Sequence, residues 1–220
     1  MNQSRPKFWG LAALILLLLL LVLWRQCSPR SMDSQPNLLV NGDAEAGPVT
    51  IDGPKFVSPP GWVTKGPFSV IAYGTNGYPR LASPGPDNRG KNFFAGGPRN
   101  LASSATQVVD VSGYARAIDA QELAADLSSY LGGYDEQNDH AAVTAEFQDA
   151  ATKLGGISLG PVLAVDRNKK AGLLLRSVRT PVPSGTRKIV VTMAMTRTDG
   201  EANDGYADNL VLRLVPRDLK

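Results

Sequence analysis

The sequence predicts an all-β fold, a two-sheet antiparallel sandwich preceded by one N-terminal transmembrane helix. Three observations carry this expectation. Apolar residues alternate with polar ones in run after run beyond residue 37. Gly- and Pro-rich turn chemistry separates those runs, and an uncharged, leucine-rich stretch occupies the start of the chain.

The N-terminal stretch comes first. Residues 8–24 carry no charge, and 14–23 is almost pure leucine. A helix of that length spans roughly 26 Å, close to the thickness of a bilayer core. Phe8, Trp9 and Trp24 stand at its two ends, where aromatic rings suit the interface. Cleavage as a signal peptide competes with this reading, but it needs small residues after the apolar run, and Trp24, Arg25 and Gln26 are bulky or charged. Cys27 lacks the small residues before it that lipoprotein processing requires. Arg5, Lys7 and the amino terminus outweigh Arg25 and Arg30, which orients the N-terminus inside and the domain outside. The predicted organisation is a cytoplasmic N-terminus (1–7), a transmembrane signal anchor (8–24), a tether (25–36), one β-sandwich (37–215) and a short tail (216–220). The expected location is the cytoplasmic membrane, with a single pass and the C-terminal domain outside the cytoplasm.

Charge distribution excludes one class of function. The four basic residues Arg5, Lys7, Arg25 and Arg30 precede Met32 and no acid does, which leaves 19 of the 23 basic groups against all 20 acids beyond it. A domain near neutrality lacks the clustered positive charge of a nucleic-acid binder. Cys27 is the only cysteine, so no intrachain disulfide forms and stability rests on packing, with a metal as one further device.

The strands follow in order of clarity. In 142–148, Val143, Ala145 and Phe147 face one way. In 188–196 the inward set is Ile189, Val191, Met193 and Met195, and in 206–215 it is Leu210, Leu212 and Leu214. Weaker strand patterns cover 38–40, 68–72, 92–95, 106–111 and 173–178. Pro60-Gly61, Pro84-Gly85, Gly96-Gly97, Gly132-Gly133, Gly155-Gly156 and Ser184-Gly185 read as punctuation between them. The polar stretch 74–90, with three prolines, reads as a functional or flexible loop. Segment 114–131 is ambiguous by periodicity: Ile118, Leu123, Leu127 and Leu131 fit a helix face, while Leu123, Ala125, Leu127, Ser129 and Leu131 fit a strand.

Two terminal motifs resemble the opening and closing strands of galactose-binding-like jelly rolls, including carbohydrate-binding modules of bacterial extracytoplasmic proteins. The first is Asn37-Leu38-Leu39-Val40-Asn41-Gly42-Asp43-Ala44-Glu45 followed by Pro60-Gly61-Trp62; the second is Asn203-Asp204-Gly205-Tyr206-Ala207-Asp208-Asn209-Leu210. Phe94-Ala95-Gly96-Gly97, the run from Ser129 to Tyr134, and Pro183-Ser184-Gly185-Thr186-Arg187 add to the likeness, which covers about residues 37–215. The resemblance implies a jelly-roll sandwich and decides 114–131 in favour of a strand from Glu122, with a short helical turn near 114–118. Ala44 stands where the family usually has an aromatic, so one core contact of the opening turn is altered. Fold alone does not carry a ligand across.

Asp208 shares the parity of Leu210, Leu212 and Leu214, so its carboxylate is expected on the buried face. A buried carboxylate needs a cation, a basic side chain or backbone donors. The resemblance implies the first: a structural calcium held by Glu45 and Asp208, with Asp43 as a further ligand, stapling the first strand to the last.

Two further groups bear on binding. Tyr134-Asp135-Glu136-Gln137-Asn138-Asp139-His140 is a charged inter-strand loop that could coordinate a second cation, hydrogen-bond a polyol, or simply be solvated. Trp62, Tyr73, Tyr78, Arg80, Arg89, Tyr130, Tyr134, Arg167 and Tyr206 supply rings for sugar C–H faces and charges for hydroxyls. The expected ligand-binding set is Tyr73, Tyr78, Arg89, Tyr134, Asp139 and Arg167, while Trp62 is expected in the core. His140 is the only histidine, and no Gly-x-Ser-x-Gly or His-Glu-x-x-His motif accompanies it, so no catalytic residue is assigned.

The expected function is therefore a membrane-anchored, extracytoplasmic binding module for carbohydrate or a cell-envelope ligand, with the lipid bilayer as partner through 8–24, no nucleic acid, and no enzymatic activity. The alternative is a structural or protein-interaction ectodomain of an envelope complex. A hydrolase ranks third.

Overall fold

The computed structural model describes residues 35–49 and 57–217. The anchor at 8–24 and Cys27 lie outside these residues; among the described ones no helix is long and apolar enough to cross a membrane.

Among the described residues ten strands form two five-stranded sheets: β1 (Val63–Lys65), β2 (Ser69–Ala72), β3 (Asn92–Gly97), β4 (Ala102–Asp110), β5 (Leu123–Gly133), β6 (His140–Gln148), β7 (Lys153–Leu159), β8 (Gly172–Pro181), β9 (Lys188–Thr196) and β10 (Asn203–Pro216). The first sheet has the order β1-β4-β9-β6-β7 and the second β2-β3-β10-β5-β8. Every pairing is antiparallel. A 3-10 turn (Ser112–Tyr114) runs into α1 (Ala115–Asp119) ahead of β5. The strand reading of 123–131 and the short helical turn before it both hold.

Alternation builds the core between the sheets. Ile189, Val191, Met193 and Met195 of β9, with Val143, Ala145 and Phe147 of β6, pack in one cluster with Leu127, Leu131, Leu210 and Leu212 of the facing sheet. Burying side chains of this size is worth about 1.5–3 kcal/mol each. Trp62 joins this core as expected, 4% exposed, edge-on to Phe94 at 5.9 Å and donating from Nε1 to the carbonyl of Asn41.

Two strand expectations change. Residues 38–40 form no strand, yet they lie beside β10, because Leu38 N donates to Leu212 O and Leu210 N donates to Gly42 O. Side-chain amides take the place of a ladder. Asn37 donates from Nδ2 to Leu210 O and accepts from Leu212 N, while Gln107 exchanges two bonds with the backbone of Val40. Residues 153–159, read as a turn around Gly155-Gly156, form β7.

Gly96-Gly97 and Gly132-Gly133 also lie inside strands rather than between them. Backbone crowding explains the second pair: a Cβ on Gly132 would sit 1.9 Å from Gly172 O.

The most consequential departure is in β10. Its register against β5 shifts between Asp208 and Val211, and Asn209 takes a left-handed φ of 47°. A bulge adds one residue and reverses the alternation beyond it. Ala207 therefore shares the core with Leu210, Leu212 and Leu214, while Tyr206 packs into a second apolar cluster with Ile71, Phe93, Ala95 and Leu173. Asp208, two residues on from Tyr206, points to that same outer face. Its carboxylate is buried as expected, but not on the face of the leucines.

Candidate functional site

The second cluster lies on the outer face of the β2-β3-β10-β5-β8 sheet. Tyr73, Tyr78, Tyr130 and Tyr134 pack against it. The chain between β2 and β3 folds beside it: Tyr73 N bonds Lys91 O, Gly74 N bonds Pro79 O, and Leu173 N of β8 donates to Pro84 O. Arg89 holds this loop from within, donating to the carbonyls of Pro86, Ser83 and Arg80 and lying 5.2 Å from the centre of the Tyr73 ring. It acts as a loop brace.

Tyr73 is drawn away from solvent as well. Its hydroxyl donates to Asp208 Oδ2 at 2.6 Å, and Asn209 N donates to Asp208 Oδ1 at 2.7 Å. Burial pushes the Asp208 carboxyl up to about 7, against the pull of these two bonds, and the charges of Glu45 and Asp43 add to the rise. Burial and the Asp208 charge likewise drive the Tyr73 phenol upward. Glu45 Oε1 accepts from the backbone of Lys91 and Asn92, and Asp43 Oδ1 accepts from Glu45 N. Hard oxygens are thus gathered where calcium was expected, but hydrogen-bond donors occupy Glu45 Oε1 and both oxygens of Asp208. Among the described residues no three acid, histidine or cysteine side chains converge closely enough to hold a metal.

Asp139 and Arg167 are corrected from ligand-binding to internal braces. Asp139 is fully buried; its Oδ1 accepts from Thr198 N, Thr198 Oγ1 and Asp199 N, and its Oδ2 from Asp204 N. With the side chain fully buried, neither oxygen is open to a ligand. Arg167 is 3% exposed and donates to the carbonyls of Asp135, Lys170 and Gln137. Burial lowers its pKa, opposed by the surrounding Tyr206, Asp135, Asp166 and Asp139. Both residues fasten the loops that carry the surface above them.

That surface is a groove of about 890 Å³, lined by residues 74–78, 80 and 82–84 of the β2–β3 loop, by Tyr134 and Asp135 after β5, and by Lys170 and Ala171 before β8. Tyr78 stands 6.0 Å from Tyr206 and 6.2 Å from Phe93, ring centre to ring centre, so packing presets its ring. The Tyr134 phenol is raised by the Asp135 charge and by burial, with the Arg80 charge opposing. Beneath them the Tyr206 hydroxyl donates to Asp204 Oδ1 at 2.7 Å, and burial raises the Asp204 carboxyl.

Of the expected ligand set, the groove brings together Tyr78 and Tyr134; Tyr73, Arg89, Asp139 and Arg167 are not among its lining. Sequence reasoning missed Lys170, which sits in a non-alternating turn with no pattern to mark it. It passed over Arg80 for Arg89 in the same loop. His140 opens β6, and its Nδ1 lies 2.8 Å from Asn138 O.

No protein-family model matches the chain, and no curated protein matches it. Several solved structures are similar at low identity. The enzymatically active domain of bacteriophage CBA120 tailspike protein 4 is 12% identical with a TM-score of 0.48; the match covers 81% of this chain and 21% of that one. The module TmCBM61, solved with β-1,4-galactotriose, is 14% identical with a TM-score of 0.46, covering 80% of this chain and 97% of that one. The xylan-binding domain CBM22-1 from Paenibacillus barcinonensis is 14% identical with a TM-score of 0.43, covering 83% and 97%. At this level the likeness says nothing of ligand. The two-sheet antiparallel sandwich rests on the strand pairing itself, and the chain has the architecture that the galactose-binding-like resemblance implied.

Proposed function

We propose that the domain is a carbohydrate-binding module whose ligand lies in the groove between Tyr78 and Tyr134. The observation that carries this reading is the groove itself: two tyrosine rings held by packing, ringed by Ser83, Arg80, Asp135 and Lys170. Sugar rings offer apolar C–H faces to aromatic side chains and hydroxyls to fixed polar groups. A glycan array probed with the detergent-solubilised full chain tests it. Binding to at least one polysaccharide, lost in Tyr78→Ala and Tyr134→Ala, is the expected result; no binding to any glycan sinks the reading.

The module is proposed to be tethered outside the cytoplasmic membrane by the uncharged segment 8–24, which predicts an intact N-terminus in protein extracted from membranes. A structural calcium at Glu45, Asp43 and Asp208 belongs to the same proposal; its support is the charge of Glu45 and Asp43 beside the buried Asp208 carboxyl, and it requires the three side chains to draw closer and Asp208 to give up the Tyr73 and Asn209 donors. One observation favours the second reading, a protein-interaction ectodomain: Val63 and Val108 are 73% and 62% exposed on the outer face of the β1-β4-β9-β6-β7 sheet.

A further inference from the structure

Charge in the groove narrows the ligand further. Three ionisable side chains besides tyrosine line it: Arg80, Lys170 and Asp135. Two cations thus face one acid, and that acid is partly engaged within the protein. Asp135 Oδ1 accepts from Ala171 N, and the buried Arg167 guanidinium lies close enough to feel its charge while bonding its carbonyl. Asp204, below, is 8% exposed and holds the Tyr206 hydroxyl. Neighbouring acids are committed too: Asp166 to Arg176, and Glu136 to Lys169 at 3.8 Å. Arg80 and Lys170, both exposed, pair with no acid among the described residues.

The groove is therefore locally positive on a domain whose own balance is 19 basic against 20 acidic groups. A neutral sugar uses Arg80 and Lys170 only as hydrogen-bond donors to its hydroxyls; an anionic substituent uses their charge as well. Guanidinium and ammonium groups bind carboxylate, sulfate and phosphate oxygens by charge-assisted hydrogen bonds. We infer that the groove takes an acidic polysaccharide, its pyranose ring against Tyr78 or Tyr134 and its anionic group between Arg80 and Lys170. This inference rests on the carbohydrate reading above.

The test is isothermal titration of the full chain in detergent against polygalacturonate, dextran sulfate and a phosphate-bearing teichoic acid, with neutral galactan and dextran beside them. At least one anionic polymer should bind tenfold or more tightly than the neutral ones, and the three polymers identify which anion is read. Raising NaCl from 50 to 300 mM should weaken that binding severalfold, since exposed charges are screened. Arg80→Gln with Lys170→Gln should bring the anionic polymer to the neutral level and leave the melting temperature unchanged; Tyr78→Ala should weaken both. Equal binding of neutral and anionic polymers, or anionic binding indifferent to the charge variants, overturns the inference while leaving the carbohydrate reading intact. If none of the five polymers binds, this inference falls, and the glycan array decides the carbohydrate reading separately.

Discussion

The Tyr73 hydroxyl donates to Asp208 Oδ2 at 2.6 Å, tying the start of the β2–β3 loop to the bulge of the last strand. Asp208 is fully buried, and its carboxyl is raised from 3.8 to about 7 by burial first, with Glu45 and Asp43 adding to the rise. A folded-state pKa above the unfolded one means that the folded protein holds this proton more tightly. The group's contribution is thus fully present below pH 4 and is lost as pH rises through 7. The loss is at most about 4 kcal/mol. Urea unfolding in EDTA should show lower stability at pH 8 than at pH 5, and Asp208→Asn should flatten that difference. An unchanged slope in the variant would place the titration elsewhere.

Calcium would reverse the sign at the same site. A cation shared by Glu45, Asp43 and Asp208 favours the ionised carboxylates, so it stabilises most where Asp208 is deprotonated. Calcium is expected to raise the melting temperature at pH 8 relative to EDTA, with little effect at pH 5, and Asp208→Ala should abolish the rise. Identical melting curves with calcium and with chelator would leave Tyr73 and Asn209 as the whole compensation for the buried acid.

How far these residues were legible in the sequence depends on what each signal measures. Alternation placed β6, β9 and most of β10 because their buried faces are uninterrupted. It misplaced the face of Asp208 because one left-handed residue, Asn209, resets the period, and asparagine is common enough in strands and turns to pass unnoticed. Gly132-Gly133 reads as a turn by composition, yet it is a strand end that the Gly172 backbone approaches too closely for a side chain. Tyr78 and Tyr134 were singled out because rings in loops carry a chemical meaning of their own, and both line the groove, half-buried. Asp139 and Arg167 read as surface groups because a charged loop residue looks the same in sequence whether it faces water or is turned inward, Asp139 to accept four backbone and hydroxyl donors and Arg167 to donate to three carbonyls.

The Asp139 carboxylate is the clearest of those braces. It gathers Thr198 N, Thr198 Oγ1, Asp199 N and Asp204 N, joining β6 to both sides of the β9–β10 turn. Asp139→Ala leaves several donors without an acceptor, and the amide of Asp204 is buried. A loss of about 3–5 kcal/mol is expected, as for other broken buried charge networks. Chemical denaturation measures it, and a loss under 1 kcal/mol would mean that water replaces the carboxylate.

Asn37 tests the other brace, the amide clamp at the chain's two ends. Its side chain bonds both Leu210 O and Leu212 N, standing in for a strand neighbour that β10 lacks there. Asn37→Ala should cost about 1–3 kcal/mol, since the Leu212 amide loses its acceptor. The more telling measurement is hydrogen exchange. Protection should fall at Leu212 and Leu38, whose amides depend on this register, while the amides of β6 and β9 across the sandwich stay protected. If exchange rises uniformly through both sheets, Asn37 is a general contributor to stability and the opening segment is held by its core contacts, Leu39 and Ala44, instead. If it rises only locally, the segment is an edge closed by side chains, and its detachment costs far less than unfolding the sandwich.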